Sequence, residues 1–280
     1  MNRCKSLIIV AWQGGNLDAY PFGAQLLAPA SGPVGTVEAA EPDGSKLPTE
    51  DGIVARSILL RQIDSAEQIL KKELPDRVVV LGGDCFVNLA PFAYLNGRYE
   101  GDLAILWVDA HPRVIAPQQS AHAHAMLLEN LREEGDIVFT KRVARPVMPE
   151  KVMYEGLYDM SSAERAMIDR LELSIATPSQ LMDSSQPVVE WLRSTGATHV
   201  AIHFDLDVID PAQLRSLYFT RPNAAPGAFV GIPQRRMTIP QVVRLLNDVA
   251  EQVEVAGLGI AEHLPWDAST IRDMLRAHSP

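Results

Sequence analysis

Cysteine is scarce in this chain: 280 residues carry two, Cys4 and Cys85. That excludes the disulfide framework of a small secreted domain and suits a reducing cytoplasm. Basic charge is also in short supply, with 25 Lys and Arg against 35 Asp and Glu and a formal net charge of −10. No basic patch is visible to neutralise phosphates, so no nucleic-acid partner is expected. Although 47% of the residues are apolar, no run approaches the roughly 18 uninterrupted apolar residues that a membrane span requires. The start "MNRCKSLIIVAWQGG" lacks the small-residue cleavage site of a secretory signal and reads as a first β-strand. There is no internal repeat and no composition shift of the kind that marks a linker. The expectation is one domain, 1–280.

What is present is an alternation of short β-branched runs with longer stretches of helical spacing, the pattern of a parallel sheet covered on both faces. Strands are predicted at 6–12, 77–83, 103–110, 151–157, 199–208 and 253–262. Helices are predicted at 51–74, at 161–172, opening on Ser161 with a Glu three residues on, and at 238–252, with Pro near its first turn. The Pro- and Gly-rich stretches 27–48 and 221–233 read as long loops.

In an open parallel sheet, ligands collect beyond the carboxyl ends of the strands. The polar residues of this chain fall there. "VVVLGGDCF" finishes with Asp84 and Cys85, "AILWVDAHPR" with Asp109, His111 and Arg113, "AIHFDLDVID" with Asp205, Asp207 and Asp210, and "GLGIAEHLP" with Glu262. A carboxylate at the end of a buried strand is costly without a cationic partner. Asp109 and His111 share a side of the chain, as do Asp205 and Asp207, because side chains two apart on a strand point the same way. The two pairs make a cage of oxygen and imidazole donors suited to manganese, iron or zinc.

"GGDCF", "DAHPR", "SAHAHAM", "DLDVIDP" and "EHLP" follow one another in the order and rough spacing of the arginase, agmatinase and formiminoglutamase group, and the chain resembles these ureohydrolases from at least 77 to 265. The resemblance implies a three-layer αβα sandwich around a mainly parallel eight-stranded sheet. It also implies two manganese ions that activate a water to attack a guanidinium or amidine carbon. Asp109 and Asp205 match the carboxylates that touch both metals, and His111 and Asp207 match ligands of the second metal alone. The residues private to the first metal, a His and an Asp in the family, are here Cys85 and Arg113. Ser120 and His124 match a serine of the substrate loop and the proton-shuttling His, His122 replaces an Asn of that loop, and Glu262 matches the carboxylate that receives the guanidinium.

Two departures shape the expectation. A thiolate at Cys85 can still ligate, or the thiol can be buried and inert, but the Arg113 guanidinium has no lone pair to offer a metal. With three aspartates ionised, Arg113 positive and Cys85 neutral, the pocket carries −2, which one divalent ion cancels. One Mn²⁺ per chain at the second site, with Arg113 turned inward, is therefore expected; two ions, or another divalent metal, remain open, as does an Arg113 turned to solvent. Ile115 and Ser161 stand where arginases place polar groups for the amino-acid end of the substrate. The expected activity is hydrolysis of a C–N bond of a guanidino or amidino compound other than L-arginine, by an arginase-like amidinohydrolase of linear amidines. A catalytically impaired relative that binds a ligand or a partner subunit is the alternative, and a homo-oligomer is possible from the resemblance. A third route would use Cys85 as a nucleophile.

Overall fold

The computed structural model describes residues 4–9, 19–30, 34–37, 47–115, 119–157, 160–229 and 237–278, with backbone alone at 4–9, 30, 34–37 and 277–278. The strands are β1 (Cys4–Ile9), β2 (Val34–Val37), β3 (Thr49–Glu50), β4 (Ile53–Val54), β5 (Arg77–Gly82), β6 (Ala104–Val108), β7 (Val152–Glu155), β8 (Ser174–Ala176), β9 (His199–Asp205) and β10 (Glu254–Ala261). The helices are α1 (Ala19–Leu27), α2 (Arg56–Glu73), α3 (Leu89–Arg98), α4 (Leu127–Leu131), α5 (Ile137–Thr140), α6 (Ser162–Arg170), α7 (Gln186–Thr195), α8 (Ile239–Ala250) and α9 (Trp266–His278).

Among the described residues, eight strands form one sheet in the order β2-β1-β5-β10-β9-β6-β7-β8, and every pairing in it is parallel. The interior strands are apolar on both faces, as β6 illustrates with all five residues of "AILWV" buried. Ile105 and Trp107 join a core with Leu59 and Ile63 of α2 and Phe92 and Leu95 of α3. Ala104, Leu106 and Val108 join a second core with Val188 and Leu192 of α7 and Val242 and Leu245 of α8. One core on each face is the expected three-layer sandwich. Phe92 and Leu95 are fully buried, and burial of each contributes about 1.5–3 kcal/mol.

The topology gathers the chemistry. Strands β5, β10, β9 and β6 are consecutive neighbours, and they are the four whose carboxyl ends carry Asp84 and Cys85, Glu262, Asp205 and Asp207, and Asp109 and His111. Two glycines in β10 allow α3 and its entry turn to sit close. A Cβ on Gly257 would stand 2.8 Å from Leu95 Cδ1, and one on Gly259 only 1.9 Å from Asn88 Oδ1.

Several expectations need correction. The helix predicted from 51 begins only at Arg56, because "EDGI" makes a hairpin between β3 and β4, with Asp51 at φ 48° and Gly52 at φ 84° in its turn. That Asp-Gly turn, with positive φ at both central residues, matches the twist of the strands it joins. The loop expected at 27–48 contains edge strand β2, and β8 was not foreseen; at four and three residues both are too short to show a period. Residues 10–12 of the first predicted strand and 230–233 of the second loop lie outside the described residues. The capping signals held: Ser161 with Glu164 and Thr238 with Gln241 each close a capping box, and α8 carries Pro in its first turn. Among the described residues, no helix is long and apolar enough to cross a membrane.

Candidate active site

Asp109 follows β6 directly, with its N–H donating to the Glu155 carbonyl at 3.1 Å. One carboxylate oxygen, Oδ1, accepts from the His111 N–H at 2.7 Å. Asp205 ends β9 and caps the turn Leu206–Val208, its Oδ1 accepting from Asp207 N–H at 2.8 Å. Asp207 Oδ1 in turn accepts from Ala110 N–H at 3.3 Å, tying the two loops together. These backbone donors fix the carboxylates before any ligand arrives.

Two donor groups result. Asp109, His111 and Asp207 each offer an atom within 4.8 Å of the others, with His111 Nδ1 2.9 Å from Asp207 Oδ2 and 3.4 Å from Asp109 Oδ1. Cys85, Asp109, His203 and Asp205, all buried, form the other. Arg113 lies over this second group: its Nε donates to Asp109 Oδ2 at 2.9 Å and its Nη2 to Asp205 Oδ2 at 2.6 Å. Arg113 is thus turned inward, 9% exposed, in a left-handed conformation at φ 54°. Asp205 faces Arg113 and Cys85 rather than His111, so the four expected second-site ligands are not all brought together.

The electrostatics follow from these contacts. Burial works to raise the Asp109 pKa, but Arg113 and His111 hold it well below the usual carboxylate range. Burial works to lower the His111 pKa, yet Asp207 and Asp109 raise it to about 10. Below that pH the ring carries a proton between the two carboxylates. The Cys85 thiol is pushed up by burial and donates to Asp205 Oδ2 at 3.2 Å, which leaves a neutral thiol unsuited to nucleophilic attack. The first group offers hard-to-intermediate donors of the kind manganese takes, whereas the second has the Arg113 guanidinium, a cation of its own, on Asp109 and Asp205.

On the substrate side, Glu262 follows β10 with φ 65° and is 6% exposed. Its Oε2 accepts from the Tyr20 hydroxyl at 2.6 Å. Burial raises its pKa to about 8, against lowering by Arg113 and Tyr20. His124 is pushed down by burial and by Arg113, and its Nδ1 lies 4.0 Å from Asp84 Oδ2. His122 stands beside it, ring centres 5.6 Å apart, and its N–H donates to Ser120 Oγ at 3.1 Å. Asp84 and Asp210 accept backbone N–H groups, from Phe86 and Ala212. Ser161 is exposed and engaged as the α6 cap. Phe219, 6.2 Å from the His111 ring, packs edge-on with Tyr218 and Phe229.

Three residues at the site were missed by sequence reasoning: His203, Asn88, whose amide nitrogen lies 2.7 Å from His203 Nδ1, and Tyr20. His203 was the most accessible, because positions 203 and 205 of β9 share a face. Tyr20 carried no local signal, lying 242 residues from its partner.

The sequence and the fold both have counterparts among known proteins. The Arginase family model matches residues 43–270. "Arginase 1, mitochondrial" of Arabidopsis thaliana is 22% identical over 209 residues, covering 74% of this chain and 53% of that protein; the chain thus spans about half the length of the curated relatives it matches. An Entamoeba histolytica arginase, solved in complex with L-ornithine, superposes with a TM-score of 0.76 at 16% identity, covering 95% of this chain and 92% of that one. Formimidoylglutamase from Bacillus subtilis gives 0.67 at 14% identity, with 95% and 81% covered. With its strand order, strand-end carboxylates and family match over more than half its length, the chain belongs to the arginase family.

Proposed function

We propose that the whole chain, 1–280, acts as a cytoplasmic, manganese-dependent amidinohydrolase on a linear guanidine or amidine other than L-arginine. The observation that carries this reading is the convergence of Asp109, His111 and Asp207 within 4.8 Å, at the same sheet edge as buried Glu262. A divalent cation held there supplies Lewis acidity and a water of lowered pKa. Asp109 orients that site while its other oxygen is held by Arg113. Glu262, as carboxylate, receives the amidinium, and Tyr20 fixes its orientation. Neutral His124 accepts a proton from the attacking water and returns it to the departing amine, while Ser120 and His122 line the approach. Cleavage consumes one water and releases the amine and the hydrolysed amidine carbon as its carbonyl product.

Ile115, the cap role of Ser161 and the aromatic wall of Phe219 support an apolar or small substituent on the substrate in place of an amino-acid end. Leaving two charged groups unpaired in a desolvated pocket costs about 1–3 kcal/mol each, so arginine turnover falls by roughly 30-fold to more than 10⁴-fold. The test is kcat/KM for L-arginine, agmatine, guanidinobutyrate, formiminoglutamate and N-hydroxyarginine at the same manganese concentration. An ordering with L-arginine first contradicts the reading of Ile115 and Ser161.

The buried Arg113 favours a second reading, an impaired relative that binds a ligand or a partner subunit. No turnover of any of these compounds under manganese saturation would select it.

A further inference from the structure

Three aromatic rings meet on the loop that follows Asp210. Tyr218 and Phe219 lie 5.8 Å apart at 86°, Phe219 and Phe229 5.9 Å apart at 88°, and Tyr218 and Phe229 6.1 Å apart at 71°. All three pairs are edge-to-face, so that the positive rim of one ring meets the negative face of the next. Phe219 is also 6.2 Å from the His111 ring and tilted by 32° to it. Large apolar side chains are normally drawn into a core, yet Tyr218 is exposed and Phe219 and Phe229 are half-buried. The trio is therefore aromatic surface beside a cluster of charged groups, the kind of patch that marks a binding site.

The loop holds these rings in place. Its base closes where Asp210 N–H donates to the Met237 carbonyl and Met237 N–H to the Val208 carbonyl, both at 3.0 Å. Leu217 is fully buried at its root, and the Leu217 carbonyl accepts from the Trp266 indole N–H at 2.7 Å and the Thr220 hydroxyl at 2.9 Å. Leu264 N–H donates to the Ser216 carbonyl at 2.8 Å, so the chain just past Glu262 is bonded to the chain just before the trio. Aromatic side chains have few torsions to freeze, and a loop pinned in this way gives up little more, which leaves the surface preorganised.

Resting on the reading of Glu262 as the acceptor of the amidinium, we propose that Tyr218, Phe219 and Phe229 select the substituent on the substrate and that this substituent is an aryl group, which makes arylalkyl guanidines and amidines the substrate class. An aryl ring beside Phe219 extends the edge-to-face set by one member. A saturated chain gains burial alone, and a charged tail must shed water against apolar rings. Arg215 and Arg221 of the same loop are exposed, and a solvated guanidinium contributes little to holding an acidic tail.

Binding and turnover are measured separately on manganese-saturated protein. Calorimetric titration with phenethylguanidine, cyclohexylethylguanidine, ethylguanidine and guanidinobutyrate should place the phenyl compound first, about tenfold or more above the last two and about threefold above the cyclohexyl one. In Phe219→Ala the preference for phenethyl over ethyl should shrink to within about threefold, while Phe219→Tyr, which keeps the ring, retains it. Should Phe219→Ala not fold, Phe229→Ala is expected to narrow the same preference by about threefold or more. Absent binding of the phenyl compound, equal affinities for phenethyl and ethyl, first place for guanidinobutyrate or the cyclohexyl compound, or a preference unchanged in these variants overturns the proposal. Phe219-dependent binding of phenethylguanidine without its hydrolysis leaves the aryl site standing and removes the hydrolase reading. Hydrolysis of ethylguanidine with no phenyl preference does the reverse.

Discussion

Tyr20 and Glu262 lie 242 positions apart and share a 2.6 Å hydrogen bond, and in the proposed reaction that pair meets the substrate cation. The Tyr20 hydroxyl lowers the Glu262 pKa against the effect of burial. Removing it in Tyr20→Phe should therefore move the acid limb of kcat/KM to higher pH and reduce the rate at pH 7 by about tenfold, with recovery at alkaline pH. A pH–rate profile that does not move would separate Tyr20 from the reaction. Glu262→Gln leaves a cation facing a neutral amide, and its kcat/KM should fall by about 10²-fold or more. At this scale the sequence was legible wherever residue type and strand-end position coincided, as for Asp109, His111, Asp207 and Glu262. It was not legible where a pair closes across the fold, as for Tyr20, or where Asp205 turned toward Arg113 and away from His111.

Among the elements, α6 separates a structural role from a chemical one. Ser161 accepts from Glu164 N–H at 3.2 Å, and Glu164 accepts from Ser161 N–H at 2.8 Å. Ser161→Ala should thus destabilise the protein by about 1 kcal/mol, visible as a lower melting temperature, while kcat/KM stays within about twofold because the side chain is exposed. A large loss of activity with unchanged stability would place Ser161 at the substrate instead. Helices with a capping box and strands with continuous apolar runs could be read from sequence because their signals are local. The Asp51-Gly52 hairpin was overridden by the helical period that follows it, and β2 takes its identity from pairing with β1, which no local pattern records.

For the molecule as a whole, the proposed metal site makes protons and metal competitors at the sheet edge. The His111 pKa is raised from its ordinary 6.5 to about 10 by Asp207 and Asp109 acting against burial. In chelator-treated protein this contribution to stability is fully present below pH 6.5 and is lost as pH rises through about 10. The melting temperature of the metal-free protein should decline over that range. Manganese at the proposed site would displace the same proton, so its affinity should climb with pH, by about tenfold per unit while one proton leaves per ion. Opposite slopes for the two forms are expected, and parallel slopes would remove His111 from the ligand set.

The most direct test of the central claim is elemental analysis of the purified chain after manganese saturation. The Arg113 guanidinium, held on Asp109 and Asp205, leaves one group of donors to a metal and predicts about one ion per chain, lost in His111→Ala. Two manganese ions at full occupancy in the unmodified protein, or none at all, would contradict it.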